Sequence, residues 1–322
     1  MNYRPFGKTG ISLSEIGLGA WGMGGTQWKG GTDDEALTAL RTAFDLGVNF
    51  VDTALAYGDG HSEELVGRGV REYGKSIFVA TKIPPKNRVW PARRGVSLET
   101  VFPASYIKES TETSLRNLGL DTIDLQQAHV WNPEWTKQEE WRRCFEDLKA
   151  SGKVRFIGVS LTEHDPDSGL ELIRTGLIDS VQVIYNIFDP TAAEKLFPLA
   201  VEFKVAVLAR VPLDEGGLTG TITETTTFPN DEFRAFYFKG DRPRQIMEHV
   251  HNLQADLRDV PGSLPEIALR FCLSDAAVTS VIPGMRRAHH VRANVRASEL
   301  GPLPPEILRR LHEHRWERNF YT

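Results

Sequence analysis

Short apolar runs alternate with longer amphipathic stretches along almost the whole chain. The short runs are typical of buried strands, and apolar residues every three or four positions are typical of helices that bury one face. The pattern predicts eight strands, at Ile16–Ala20, Val48–Val51, Ile77–Ala80, Ile123–Gln127, Val154–Val159, Ser180–Ile184, Val205–Ala209 and Val278–Ile282. It also predicts helices near residues 33–46, 62–71, 105–118, 138–151, 166–174, 191–203, 242–257 and 287–296.

Both ends of the chain carry an element outside this alternation. The first sixteen residues predict a small β-hairpin, because a Lys8-Thr-Gly10 turn is followed by alternating apolar residues from Ile11 to Ile16. At the other end, Leu303–Arg315 reads as an amphipathic helix with a short tail after it. The sequence leaves open whether this tail contacts a substrate.

Strands that alternate with helices through short connections favour a (β/α)8 TIM barrel of one domain, residues 1–322. The alternative is an open doubly wound sheet, whose phosphate-binding fingerprint is approximated by Gly17-Leu-Gly-Ala-Trp-Gly22. No acidic residue follows at the required distance after a second strand, so the barrel is favoured. The longer stretches 84–104 and 214–240 lack periodicity and follow strands, which predicts loops at the mouth of the barrel.

Composition excludes several classes of protein and leaves the chemistry open. A net charge of −5 over 322 residues argues against a nucleic-acid surface. Two cysteines form neither a disulfide framework nor a zinc pattern, and no metal site is expected. No apolar run is long enough to span a bilayer, and the N-terminus lacks the pattern of a signal peptide. We therefore expect a cytoplasmic protein that does not bind membranes.

Four polar residues follow three predicted strands in a way that suggests catalysis. Asp52 ends the second strand region, Tyr57 lies five residues further on, Lys82 ends the third and His129 ends the fourth. The carboxyl ends of parallel barrel strands converge on one face, so these side chains are expected to meet in one pocket. Each residue alone has a structural explanation, such as helix capping by a strand-end aspartate. Their joint placement favours a catalytic site.

The four side chains have complementary roles. Asp52 would keep a buried Lys82 charged, and the ammonium would lower the pKa of Tyr57 towards working pH. Tyr57 could then protonate an oxygen that gains negative charge, with His129 donating a hydrogen bond to the same oxygen. A proton donor without a nucleophile or metal cluster suggests an external hydride donor. An alternative is a lyase or isomerase with Lys82 as a Schiff-base amine, which a paired, charged lysine disfavours.

Several sequence motifs together resemble those of the aldo-keto reductase superfamily, from Tyr3 to about Asn294. Gly47–Gly58 (GVNFVDTALAYG) is similar to the first family signature. Val79–Lys82 (VATK) and Asp124–His129 (DLQQAH) are similar to its lysine and histidine motifs, and Gly152–Ser160 (GKVRFIGVS) is a further marker. The resemblance implies that Asp52, Tyr57, Lys82 and His129 are the catalytic tetrad.

The resemblance also implies a nicotinamide cofactor. Arg286 is suited to a 2′-phosphate, which favours NADP and leaves NAD as the alternative. Two positions depart from the family pattern: Leu161 replaces an asparagine beside Ser160, and Arg210 replaces an aromatic residue. The loop from Asp214 to Gly220 is similar to the segment that wraps the pyrophosphate. The implied cofactor contacts are Trp21, Asp52, Ser160, Gln182, Arg210, Pro212, Leu213, Gly217, Gly284, Arg286, His290 and Asn294.

Three tryptophans, Trp21, Trp90 and Trp131, follow predicted strands and are expected to line a pocket for a small aldehyde, ketone or alcohol. Trp21 and Trp131 have the better case, because Trp90 could simply pin its own loop. Within the redox interpretation, a sugar or alcohol dehydrogenase that works oxidatively is the main alternative. The resemblance also extends to β subunits of potassium channels, so a redox-sensing partner protein is a further alternative. The oligomeric state cannot be read from the sequence.

Overall fold

The computed structural model describes all residues from Met1 to Thr322. It begins with the expected hairpin, in which β1 (Tyr3–Pro5) pairs antiparallel with β2 (Ser12–Ser14). Eight further strands lie close to the predicted positions. They are β3 (Leu18–Gly19), β4 (Phe50–Asp52), β5 (Phe78–Ile83), β6 (Ile123–Ala128), β7 (Val154–Ser160), β8 (Ser180–Ile184), β9 (Ala206–Arg210) and β10 (Val278–Val281).

The eight strands form a closed parallel barrel. Each strand from β3 to β9 pairs in parallel with its successor in the chain. The first and last strands meet through parallel bridges, Ile16 with Val281 and Gly19 with Gly284, and Gly17 donates its backbone N–H to the Val281 carbonyl at 2.8 Å. The (β/α)8 prediction is therefore confirmed, and the doubly wound alternative is wrong.

Helices surround the barrel, and most lie where the pattern predicts them. The first, α1, begins with a complete capping box in which Thr32 accepts from the backbone of Glu35. The helix α5 begins after Gln138, whose side chain makes no capping hydrogen bond. The helices are α1 (Asp33–Asp45), α2 (His61–Tyr73), α3 (Leu98–Val101), α4 (Ala104–Leu118), α5 (Glu139–Ala150), α6 (Leu170–Arg174), α7 (Leu196–Glu202), α8 (Phe233–Tyr237), α9 (Arg242–Asp256), α10 (Leu264–Leu273), α11 (Ala288–Leu300) and α12 (Pro305–His312).

The pattern did not predict α10, although this helix packs against β10 and α11. Most of its residues are buried, so its apolar positions do not form a one-sided stripe. The stretches 84–104 and 214–240 also contain short helices, α3 and α8, and a 3₁₀ segment at Asp214–Thr219. Long unpatterned stretches at the mouth are therefore more ordered than the sequence indicates.

The two layers of core place the site at one end of the barrel. A large apolar cluster fills the space between strands and helices, whereas a smaller one fills the lower barrel interior. Phe6 of the hairpin packs edge-on against Phe78 at the start of β5, with ring centroids 5.1 Å apart. The hairpin thus closes the N-terminal end, and polar residues are left to gather at the other end. None of the helices combines the length and apolar character required to cross a membrane.

Candidate active site

A buried ion pair between Lys82 and Asp52 forms the base of the site. Asp52 ends β4, and Lys82 lies near the end of the adjacent strand β5. The Lys82 ammonium donates to Asp52 Oδ1, to the Thr53 carbonyl at 2.9 Å and to the Tyr57 hydroxyl at 3.4 Å. The Lys82 side chain is 0% exposed and that of Asp52 is 3% exposed. The strand ends therefore bring an acid, a lysine and a phenol together as expected.

His129 completes this group from the next strand. It follows β6 directly, and its backbone N–H donates to the Ile83 carbonyl at 3.0 Å. Its ring meets the Tyr57 ring edge-on, with centroids 5.7 Å apart and an interplanar angle of 76°. Nδ1 of His129 is buried without a hydrogen-bond partner. The four predicted residues thus lie in one pocket, with His129 beside the phenol.

The charge states of these groups differ in part from those expected. Desolvation raises the pKa of Tyr57, and the nearby Lys82 charge only partly offsets this effect. The expected lowering of the Tyr57 pKa is therefore wrong. Desolvation destabilises the phenolate more than the Lys82 ammonium stabilises it. Burial alone would lower the pKa of Lys82, but the charges of Asp52 and Tyr57 raise it above its ordinary value. The pair therefore keeps the lysine charged.

The His129 imidazole is neutral at physiological pH. Desolvation, followed by the charges of Lys82 and Arg210, lowers its pKa well below 6.5. A neutral imidazole carries one N–H, so it can donate a single hydrogen bond to an oxygen in the pocket.

Two buried glutamines hold the other oxygen of Asp52. Gln127 Nε2 lies 3.1 Å from Asp52 Oδ2, and Gln182 Nε2 lies 2.8 Å from the same atom. Gln182 was expected to contact the cofactor; its amide nitrogen is already bonded to Asp52, and its carbonyl oxygen has no protein donor. Gln127 was not predicted as a site residue, although it lies within the histidine motif Asp124–His129.

The aromatic residues at the mouth are arranged differently from the expectation. Trp21 stacks on Tyr57 at 6.0 Å with an angle of 28°, and Trp90 meets His129 edge-on at 5.9 Å. Trp131 is only 2% exposed and packs against Trp135 and Trp141. Trp21 and Trp90 therefore lie against the reactive groups, whereas Trp131 lines a cavity of about 360 Å³ together with Arg94, Asn132 and Thr162.

Arg210 lies at the end of β9, close enough to influence both Tyr57 and His129. Its Nη2 donates to the Leu161 carbonyl at 3.1 Å and to Glu163 at 3.3 Å, while its Nε is buried without a partner. Burial opposes its charge, but Glu163 and neighbouring groups raise the pKa above the ordinary value. A fixed cation thus stands where the family usually has an aromatic ring.

The segment after β9, residues 211–220, forms a tight turn that we call the β9 loop. It contains Pro212, Leu213 and the 3₁₀ segment that includes Gly217. A Cβ on Gly217 would lie 2.6 Å from Asp214 Oδ2, so no larger residue fits there unless the carboxylate moves. The neighbouring Gly216 has open space where its Cβ would be, so its backbone faces outward. This combination is suitable for a backbone that approaches a phosphate.

The arginine side chains in the segment after β10 are already hydrogen-bonded within the protein, which the sequence did not indicate. Arg286 donates through Nη1 to the Lys29 carbonyl, and Arg287 donates to the Gly30 carbonyl at 2.9 Å. On α11, His290 is exposed and Asn294 is 6% exposed, while Gly284 has no heavy atom within 4 Å of its Cβ position. A groove of about 800 Å³ runs beside this segment, lined by Asp34, Glu35, Thr38, Arg287, Ala288, His289 and Arg292.

These residues fit a nicotinamide cofactor in their chemistry. Ser160, at the end of β7, makes no side-chain hydrogen bond, and Gln182 offers a free carbonyl oxygen. These two groups at adjacent strand ends match the donors and acceptors of a carboxamide. No group of three or more His, Cys, Asp or Glu side chains is placed to hold a metal ion.

A parallel barrel with this Asp-Lys-Tyr-His group at its mouth defines a class of carbonyl oxidoreductases. The profile of the Aldo/keto reductase family matches residues 15–315. The chain therefore belongs to the aldo/keto reductase family, whose members are nicotinamide-dependent oxidoreductases that act on small carbonyl compounds.

Individual relatives match over nearly their whole length. The aldo-keto reductase YhdN of Bacillus subtilis is 34% identical, over 91% of this chain and 87% of its own. The NADH-specific methylglyoxal reductase of Escherichia coli is 30% identical, over 91% and 92%. Among solved structures, the glycerol dehydrogenase of Gluconobacter oxydans superposes with a TM-score of 0.78 at 29% identity, over 97% of this chain and 94% of that one.

Proposed function

We propose that the protein is an NADP(H)-dependent enzyme that interconverts small aldehydes or ketones and the corresponding alcohols. The observation that carries this proposal is the Lys82 ammonium, which contacts Asp52 and the Tyr57 hydroxyl together and lies within one pocket with His129. The nicotinamide, when bound, supplies or accepts the hydride.

Tyr57 is the proton donor in the reductive direction. Its raised pKa keeps the phenol protonated at neutral pH, which is the form that can protonate a carbonyl oxygen. Lys82 stabilises the phenolate that remains after proton transfer, since its charge is held by Asp52. His129 is neutral and donates a hydrogen bond to the same oxygen, which orients the carbonyl.

The cofactor would be held by residues that lie on, or just after, six strands: β3, β4, β7, β8, β9 and β10. Ser160 and Gln182 are suitable for the carboxamide. Around the nicotinamide ring would lie Trp21, Asp52 and Arg210. The pyrophosphate would be bound by the loop that contains Pro212, Leu213 and Gly217. The adenosine end of the cofactor would be bound by Gly284, Arg286, His290 and Asn294.

The preference for NADP depends on Arg286. Desolvation lowers the pKa of the Arg286 guanidinium, and the positive charges of Arg234 and Arg287 lower it further. A bound anion would offset the repulsion among these three arginines. The name of the Escherichia coli relative indicates that NADH use exists at this level of similarity. NAD is therefore the alternative cofactor.

The substrate is a small neutral or weakly polar carbonyl compound bound between Trp21 and Trp90. Both rings flank reactive groups, so an apolar or ring-shaped body would stack there while its oxygen faces Tyr57 and His129. Oxidation of an alcohol is the second candidate, because the glycerol dehydrogenase relative is named for that direction. Arg210 favours this direction too, since a cation beside the ring position disfavours the oxidised, positively charged nicotinamide.

The test is a titration of intrinsic fluorescence with NADPH and with NADH, followed by turnover on aromatic, aliphatic and sugar aldehydes and the matching alcohols. Tight NADPH binding with turnover supports the proposal. Tight binding without turnover on any of these compounds would favour a redox-sensing role, and the absence of binding to both cofactors would refute the proposal.

A further inference from the structure

The C-terminal tail, residues 313–322, lies across the barrel mouth instead of extending into solvent. The backbone N–H of Trp316 donates to the Phe188 carbonyl at 3.0 Å, and the Trp316 ring stacks on His249 at 3.8 Å. At the end of the chain, the Thr322 carbonyl accepts from Lys239 and Arg242, both at 3.0 Å. The tail is therefore fixed at both ends.

Between these fixed points the tail contacts the β9 loop through two side chains. Arg318 forms an ion pair with Asp214 in which the side chains are 5% and 2% exposed. The Tyr237 hydroxyl donates to the same carboxylate oxygen at 3.1 Å. Tyr321 donates its hydroxyl to Glu215 Oε1 at 2.7 Å. Two successive carboxylates of the loop are thus each bound by one tail residue.

The backbone of the loop needs such support. Val211, Asp214 and Glu215 have φ values of 56°, 52° and 53°, and Gly216 follows at 104°. Residues with a Cβ adopt this left-handed region only when their surroundings compensate for the strain. Backbone hydrogen bonds inside the loop, from Asp214 to Val211 at 3.1 Å and from Gly216 to Leu213 at 2.9 Å, provide part of this compensation. The contacts of the Asp214 and Glu215 side chains with the tail add to it.

We propose that Arg318 and Tyr321 are positioning residues that hold the β9 loop in the conformation that binds the cofactor. This inference rests on the proposed function, because the loop contains the residues assigned to the pyrophosphate. The two tail residues act through Asp214 and Glu215 and do not touch the reacting atoms. Their loss lets the loop leave the strained conformation and speeds release of the cofactor.

The critical variant is Tyr321→Phe, which removes one hydroxyl and keeps the ring in its aromatic surroundings of Phe233 and Tyr237. We expect NADPH to dissociate at least about threefold faster, as for the loss of one hydrogen bond to a buried carboxyl group. Arg318→Lys should act in the same direction. Replacement of Arg318 by a neutral residue would leave Asp214 buried and unpaired, and such a variant could fail to fold.

The matched control is Arg315→Ala. Arg315 belongs to the same tail, is 45% exposed and pairs with Glu194 at 2.5 Å, away from the loop. The measurements are stopped-flow cofactor release, KM for cofactor and for substrate, and amide hydrogen exchange of residues 214–220 in the cofactor-free protein.

Faster release, a raised cofactor KM with unchanged substrate KM, and faster exchange in Tyr321→Phe but not in Arg315→Ala support the proposal. A raised substrate KM with unchanged cofactor release would overturn it and make the tail a substrate contact. Unchanged exchange of residues 214–220 in both Tyr321→Phe and Arg318→Lys would also overturn it. If the unaltered protein binds no nicotinamide, the proposed function fails, while the exchange experiment still decides whether the tail holds the loop.

Discussion

Gln182 donates to Asp52 Oδ2 at 2.8 Å, so a residue assigned to the cofactor also holds the carboxylate that pairs with Lys82. Gln127 donates a hydrogen bond to the same oxygen, and the Lys82 ammonium donates to the other carboxylate oxygen, Oδ1. Asp52 is therefore fixed on both oxygens by groups from three strands. This arrangement holds the Asp52 carboxylate beside the Lys82 ammonium, which in turn contacts the Tyr57 hydroxyl.

Removal of the Tyr57 hydroxyl should separate chemistry from binding. In Tyr57→Phe we expect turnover to fall by at least about 100-fold, since general acid catalysis is lost. The cofactor should bind as before, because the ring that stacks on Trp21 is kept. Steady-state rates beside a fluorescence titration check this, and retained turnover would remove Tyr57 from its role.

Asp52→Asn should weaken both the fold and the activity. The variant leaves the fully buried Lys82 without its counter-charge, which we expect to reduce the free energy of unfolding by about 3 kcal/mol. The double variant Asp52→Asn with Lys82→Met removes both charges and should recover part of that loss. Chemical denaturation of both measures the difference, and equal stabilities would show that the unpaired charge is not the cause. Both variants should be inactive.

Arg286→Ala should weaken NADPH binding far more than NADH binding. Only NADPH offers the 2′-phosphate, and an arginine fork binds two of its oxygens. Arg286 also donates to the Lys29 carbonyl, so a small common effect on both cofactors is expected from a looser loop. Arg287→Ala, which loses the neighbouring contact to Gly30, is the control for that common effect. Equal weakening of both cofactors by Arg286→Ala would exclude the phosphate assignment.

The pH dependence of the free energy of unfolding should reveal the raised pKa of Glu215. Burial raises the pKa of this carboxyl from 4.5 to about 7, against the opposing effects of its hydrogen bond to Tyr321 and the charge of Arg210. Asp214 and Glu163 also face it and add to the rise. The folded state thus holds the proton more tightly than the unfolded state. The resulting stability is fully present below pH 4.5 and is lost as the pH rises through about 7.

Glu215→Gln isolates this effect, because a neutral amide still offers Tyr321 an acceptor oxygen. Between pH 4.5 and pH 7, the unaltered protein should lose on the order of 3 kcal/mol of unfolding free energy relative to the variant. Denaturation curves at several pH values measure this difference. Parallel curves for the two proteins would mean that Glu215 titrates normally in the fold.

The rate of carbonyl reduction should not fall at mildly alkaline pH. The raised pKa of Tyr57 lies above its ordinary value of 10, so the phenol stays protonated across the neutral and mildly alkaline range. The low pKa of His129 likewise keeps the imidazole neutral well below pH 6.5. A kcat profile that is flat between pH 7 and pH 9 is the expected result. A fall with an apparent pKa in that range would show that one of these groups titrates there.

The order of strands and helices could be predicted from the sequence, because local periodicity reports which side of each segment is buried. The placement of Asp52, Lys82 and His129 in one pocket followed as well, since parallel strands of a barrel end on the same face. The helix α10 escaped prediction because it is buried on several sides and has no single apolar stripe. The local apolar pattern therefore predicted the elements that bury one face, and it missed the helix that is buried on several sides.

The tertiary structure alone decided properties that depend on distance and on surrounding solvent. Burial raised the pKa of Tyr57 although a lysine stands beside it, and packing against Trp135 and Trp141 left Trp131 only 2% exposed. The tail reached the β9 loop across more than a hundred residues of chain, in the contact of Arg318 with Asp214. The types and order of the residues determined which chemistry is available, because side-chain type is local. Desolvation and long-range contact are properties of the packed molecule, so only the folded chain could decide how strongly each group is charged and what holds it in place.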